Sequence, residues 1–208
     1  MGKSKLSRGK IIAIIISTIL ILDQVFKIWI KTHFTLHQSV PVLGRWFQLF
    51  FVENEGMAFG MVFGGEAGKL ILSLFRIALS IFIMWYIVRL LKKPETPMGV
   101  LVGLSLVFVG AVGNIIDCAF YGLIFNESGV TQVAQMFPPE GGYGTFLHGK
   151  VVDMLYFPLI DTVLPDNFPI WGGRRFVFFQ FIFNIADSAI TCGALYLLIF
   201  KYKFFSKK

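Results

Sequence analysis

The chain has 208 residues, 56% of them hydrophobic and only 15% charged. That is too apolar for an ordinary water-soluble domain and fits a polytopic membrane protein. The net charge of +7 does not indicate a nucleic-acid partner, because 11 of the 19 Lys and Arg stand in three short segments beside apolar runs, where they can anchor on anionic headgroups.

Four runs, about 11–30, 69–91, 98–118 and 177–200, approach the roughly 20 apolar residues needed to cross a hydrocarbon core of about 30 Å. They predict one integral-membrane domain, 1–208, of four transmembrane helices with outer excursions at 31–68 and 119–176. Lys3, Lys5, Arg8 and Lys10 precede the first run. Its start mimics a signal peptide, but no A-x-A-like cleavage site follows. It continues through Asp23, Gln24 and Lys27 to Trp29, so it reads as a retained span, with Trp29 and Lys31 as interfacial anchors. Asp23 and Lys27, four apart, predict an ion pair on one helix face; contact with a substrate is the alternative.

Residues 40–64 are rich in β-branched and aromatic side chains and are punctuated by Asn54-Glu55-Gly56. They predict short strands and a turn lying on the membrane surface. The second span carries Arg76 near its outer end. Arg89, Lys92 and Lys93 follow, and Pro94 and Pro97 break the chain. The third span is glycine-rich, and Gly99 with Gly103 forms a GxxxG that permits close helix approach. Asn114 and Asp117 share a face near its outer end.

In the second excursion, HGKVVDMLYFP predicts a short extended or re-entrant segment carrying Asp153. Asn184 and Asp187 are expected on one face of the fourth helix, with Asp187 roughly 15–18 Å inward from its outer start. Lys201, Lys203, Lys207 and Lys208 close the chain. The positive-inside rule places both termini and the 92–98 loop in the cytoplasm.

Neither cysteine, Cys118 nor Cys192, indicates a disulfide framework or a thiolate metal site, since both lie in predicted spans. His33 and His37 lack the Glu of HExxH, so no zinc site is expected. GTFLHGK imitates a phosphate-binding loop but has Val151 where Ser or Thr is required. No cofactor is indicated.

The unusual residues are the acids. A carboxylate at a helix centre in hydrocarbon costs roughly 3 kcal/mol on insertion scales, so it is rare unless it has a task. If Asp153 and Asp187 meet in one wet pocket, they cannot both ionise easily, and they share a proton. One then acts as general base on water, and the other, protonated, polarises a carbonyl and protonates a leaving amine. Two further readings of the same spacing stand beside this: a proton relay in a small proton-coupled transporter, and buried carboxyls satisfied by neighbours. Asn114 and Asn184 fit donation to a carboxylate or a substrate carbonyl, and equally plain helix–helix hydrogen bonding.

LDQVFKIWI, ENEGMAFGM, GAVGNIID, KVVDMLYFP and FNIADSAITCG, in that order, resemble the lipoprotein signal peptidase (type II signal peptidase) family. The resemblance implies an aspartyl protease without metal. It would cleave prolipoproteins before a diacylglyceryl-modified cysteine, in the inner membrane of a bacterium, with its active site towards the periplasm. It implies four transmembrane helices with a small β-cradle and an outer segment that covers the site. Asp153 and Asp187 correspond to the catalytic dyad. Asp23, Lys27, Asn54, Gly56, Asn114, Asp117, Asn184 and Ala186 correspond to supporting or substrate-contacting positions, with the three asparagines expected to contact the peptide backbone. The expected partners are diacylglyceryl-modified precursors and membrane lipid, and the expected state is a monomer.

Two features depart from the family pattern. Cys118 stands where Arg usually follows the aspartate of GNxxD, so a cationic contact to Asp117 or to substrate is expected to be either lost or supplied by Arg76, Arg174 or Lys150. The stretch 122–147 is long, and Phe137, Tyr143 and Phe146 are expected to rest on the membrane surface.

Overall fold

The computed structural model describes residues 6–55 and 65–206. α1 (Arg8–His33), α2 (Gly65–Leu91) and α3 (Met98–Ile116) form the helical body, with α3 packed on both other helices. Three helical stretches, Arg8–His33, Gly68–Leu91 and the continuous run Met98–Ile124, are long and apolar enough to cross a membrane. The chain is a membrane protein with a small sheet.

Arg8 donates to the carbonyls of Lys93, Pro94 and Thr96, at 3.0, 3.3 and 2.7 Å. Arg8 at the start of α1 and the basic α2–α3 connection therefore share one end of the bundle.

α3 ends differently from expectation. Its regular helix stops at Ile116, and a π-turn over Asp117–Tyr121 leads to one further turn, α4 (Gly122–Ile124). Such wide turns are rare and occur inside α-helices frequently at functional sites. Here Asp117, Cys118 and Tyr121 are all buried.

The fourth helix is a correction. Expected over 177–200, α5 runs only Ile185–Phe200, 16 residues, or about 24 Å at a rise of 1.5 Å per residue. The apolar string before it forms β5 (Arg175–Phe178) and β6 (Ile182–Phe183). Continuous apolar aromatic runs fit a strand as well as a helix, so periodicity does not separate the two. The helix starts where its capping chemistry lies: Asn184 is the N-cap, and Asn184 and Asp187 form a reciprocal capping box. A short α6 (Tyr202–Ser206) follows.

α3 and α5 pack closely because glycines line their contact. A Cβ on Gly193 would lie 2.7 Å from the Gly103 carbonyl, and one on Gly103 would lie 2.6 Å from Leu197 Cδ2. A Cβ on Gly110 would collide with the Ala186 carbonyl oxygen and lie 2.6 Å from Ile190 Cγ1. Gly110→Ala should therefore push the N-terminus of α5 off α3 and cost about 1–3 kcal/mol. Its melting temperature in detergent should fall well below that of Gly9→Ala. Nothing lies within 4 Å of a Cβ at Gly9, so alanine there should be neutral or slightly stabilising.

Three of the four strands, β1 to β3, fall in the expected extended segments, and β6 falls in the stretch expected to be helix. β1 (Ser39–Leu43) and β2 (Phe47–Asn54) form a hairpin, β3 (Val151–Tyr156) pairs with β2, and β6 pairs with β3, all antiparallel. The register sets Val52 opposite Asp153 and Asn54 opposite Val151. Side chains alternate, so Asn54 shares the face that carries Asp153. The other face of the sheet, with Phe51, Val152 and Met154, packs on Ile30, Phe34, Tyr121 and Phe125. A separate two-stranded hairpin, β4 (Ile160–Val163) with β5, is the connection between the strand of Asp153 and the helix of Asp187.

Candidate active site

Asp153 projects from β3 and is 4% exposed. Asp187 sits in the first turn of α5. It therefore lies at the helix start, not 15–18 Å along a span, and the two acids need no deep funnel to meet. Asn184 joins them. Its Nδ2 donates to Asp153 Oδ1 at 2.7 Å, its backbone N–H donates to Asp187 Oδ2 at 3.3 Å, and its Oδ1 accepts from the Asp187 N–H at 2.8 Å. Asn114 Nδ2 donates to Asp187 Oδ1 at 2.8 Å, and Asn54 Nδ2 reaches Asp153 Oδ2 at 3.5 Å. The amides of Asn114 and Asn184 thus donate to the carboxyls, one of the roles the sequence suggests for them.

The two carboxyls differ in surroundings. Burial, and then the nearby charge of Asp187, push Asp153 up to about 8. Asp187 lies at the positive end of the α5 dipole, where a negative charge is favoured.

Behind the pair lies a buried charge cluster. Lys27 is fully buried, and its Nζ lies 3.0 Å from Asp23 Oδ2, 2.8 Å from Asp117 Oδ2 and 2.8 Å from Asn114 Oδ1. An ammonium has three donors, so this set satisfies it. The expected Asp23–Lys27 pair is present and extends to Asp117. Lys27 is thus a cation at Asp117, while Lys150 instead pairs with Glu127 at 2.7 Å and lies 3.9 Å from Glu53. Asp23 Oδ1 accepts from the Ala186 N–H at 2.8 Å, which ties α1 to the first turn of α5. Asp117 Oδ2 accepts from the Val152 N–H at 3.2 Å, which ties α3 to β3 beside Asp153. Ala186 thus contributes its backbone. Gly56 lies outside the described residues.

Sequence reasoning passed over Gln24. Its Nε2 donates to Asp23, to Asp117 and to the Gly113 carbonyl at 3.0–3.1 Å, and its Oε1 accepts from the Tyr121 hydroxyl at 3.3 Å. The signal was available, since an amide inside an apolar span beside an aspartate needs partners. Lys31 is also a correction. It is no interfacial anchor but fully buried, paired with Glu53 and donating to Ser128 Oγ at 2.8 Å. Asp23, Lys27 and Lys31 repeat every four residues, so they line one stripe of α1 that faces protein. Tyr143, expected on the membrane surface, instead packs beneath the Lys31 and Lys150 ammonium groups and accepts from the Lys150 N–H at 2.7 Å. Phe137 and Phe146 are exposed. The long 122–147 stretch is thereby held on the sheet by buried charge.

A family model described as signal peptidase (SPase) II matches residues 15–203. The lipoprotein signal peptidase of Porphyromonas gingivalis is 50% identical over 94% of this chain and 84% of its own length. That of Amoebophilus asiaticus is 37% identical over 87% of this chain and 73% of its own. A solved structure described as a bacterial membrane enzyme is 25% identical with a TM-score of 0.59, covering 96% of this chain and 92% of that one.

Proposed function

The chain belongs to the signal peptidase II family, and on that premise we propose that it is an aspartic-type endopeptidase that removes signal peptides from prolipoproteins. The bond cut is the amide before a diacylglyceryl-modified cysteine. The observation that carries the aspartic reading is the bridging of Asp153 and Asp187 by one asparagine, Asn184. The relatives are described as peptidases, which leaves the transporter reading without support.

The environments divide the roles. Asp153 holds the proton that the pair shares, and Asp187 is the carboxylate. Asp187 takes a proton from water as the water oxygen bonds to the scissile carbonyl carbon. Asp153 donates its hydrogen bond to the carbonyl oxygen, whose charge grows as the π electrons move onto it. The C–N bond then breaks, and the departing nitrogen takes a proton from the pair. Asn114 and Asn184 hold the two carboxyls in register, while Asp23, Lys27 and Asp117 tie the two elements that carry them, β3 and α5, to the helical body. Asn54 and Gly56 are proposed to contact the substrate near Asp153.

In this reading α5 is the fourth span. Both termini are cytoplasmic, and the dyad faces the periplasmic side of the inner membrane. The protein works as a monomer among lipid, with the precursor's acyl chains left in the bilayer. The test is purified protein with a diacylglyceryl-modified precursor, read as released signal peptide. Absence of cleavage by folded protein would sink the proposal.

A pH profile tests the division of roles. Turnover should decline as pH rises past about 8, because Asp153 then loses the proton it must supply. The stability contribution has the same direction. Folded Asp153 holds its proton more tightly than its ordinary value of 3.8, so its contribution is complete below that value and is lost as pH rises through about 8. Rate measurements and melts across that window check both statements.

A further inference from the structure

The β4–β5 hairpin carries none of the groups used above, yet it is the chain's path from Asp153 to Asp187. It forms its own two-stranded sheet, separate from the four-stranded one. An isolated two-stranded hairpin is marginal at best in water. This one also exposes large apolar side chains along both strands, among them Ile160, Val163, Phe176 and Phe178. Its tip is more extreme, with Ile170 89% exposed, Trp171 54% and Phe168 44%. Ile170 has a φ of 69°, a left-handed conformation that a β-branched residue adopts only under constraint.

The base of the hairpin says what surrounds it. Phe179 makes edge contacts with Phe181 and Phe183, so a ring cluster runs from the hairpin to β6 and the start of α5. The hairpin is thus continuous with the apolar surface of α5, the helix placed in the bilayer above. Its charges balance. Arg175 makes a two-pronged contact with Asp161 at 2.7 and 2.6 Å, and Arg174 and Asp166 add one charge of each sign. A net-neutral aromatic tip suits the headgroup region, where Trp and Phe partition by burial and not by attraction to anionic lipid.

We infer that the β4–β5 hairpin is a membrane-interface anchor, its Phe168–Trp171 tip seated among the headgroups of the leaflet that α5 enters. The inference rests on the chain being a membrane protein and on the proposed placement of α5 as a span, not on the peptidase chemistry.

The experiment uses the full chain in nanodiscs of zwitterionic phosphatidylcholine and isolates Trp171 as the emission difference between wild type and Trp171→Phe. Trp171→Tyr serves as a second subtraction, and far-UV circular dichroism checks each variant. Trp171 emission should be blue-shifted and lose about half its intensity in lipid brominated high on the acyl chain, as for a residue of the interfacial aromatic belt. Aqueous iodide should quench it little, and added salt should leave the result unchanged. Red-shifted emission quenched by iodide and untouched by brominated lipid overturns the inference. So does quenching that arises only when a lipopeptide with brominated acyl chains is added, which would make the hairpin a substrate contact. None of these readings needs turnover, so a failed cleavage assay and a failed anchor are distinguishable.

Discussion

Asp153→Asn and Asp187→Asn should each reduce turnover of a diacylglyceryl-modified precursor by about three orders of magnitude or more, because neither variant can share a proton between the two positions. Their effects on stability should differ, which separates a catalytic loss from a folding loss. Asp153→Asn removes a buried acid beside a second acid. Of the bonds it accepts from Asn184 and Asn54, the second is already long at 3.5 Å. The variant should melt close to wild type near neutral pH and above it at alkaline pH, where wild type loses the contribution of its protonated Asp153. Asp187→Asn is harder on the fold. Both carboxylate oxygens accept hydrogen bonds, from Asn114 Nδ2 and from the Asn184 N–H. An amide at that position must turn an NH₂ towards one of those donors and gives up a charge favoured at a helix N-terminus, a loss of about 1–2 kcal/mol. Melts by circular dichroism in detergent, run beside the cleavage assay, check the pattern. Retained turnover in either folded variant would end the two-aspartate mechanism.

Lys27→Met should damage the protein more than any single change at the dyad. It leaves Asp23 and Asp117 buried with their shared cation gone. Removing one partner from a buried ionic group costs about 3–5 kcal/mol, because the remaining charge is uncompensated. The elements affected are the ones the site is built from: Asp23 holds the first turn of α5 through the Ala186 N–H, and Asp117 holds β3 through the Val152 N–H. Yield and melting temperature should fall together with turnover. Adding Asp117→Asn to Lys27→Met removes one uncompensated charge and should restore part of the lost stability, although an amide at that position cannot restore the whole network. A full cycle of single and double variants measures the coupling. A Lys27→Met protein that melts like wild type would show that the ammonium charge is not what holds these elements together.

Much of the site is legible as residue types in the wrong company. Asp153 and Asp187 are conspicuous because carboxyls are costly in apolar runs. Asn114 and Asn184 stand at helical spacing from acids. Asp23 with Lys27 is readable as a pair, but the third member, Asp117, comes from another helix, and the chain offers no local sign of that. Lys31 reads as an anchor because it follows a tryptophan at the end of a span. Its partner Glu53 lies on a strand whose packing against α1 is a long-range contact. Cys118 at an expected arginine position suggests a missing cation, and the cation is already present one helix away.

The chain's own order of residues determined the membrane character, the number of apolar runs, the extended segments that hold β1 to β3 and the identity of the acids, because each follows from local composition or from side-chain chemistry. Tertiary structure alone decided where α5 begins and what each polar group holds. An aromatic run satisfies its backbone equally well in a strand or a helix. The choice was made by β6 pairing with β3 and by Asn184 and Asp187 closing a capping box. That same choice brings Asp187 to a helix N-terminus beside Asp153, a proximity set by packing across the fold and not by spacing along the chain.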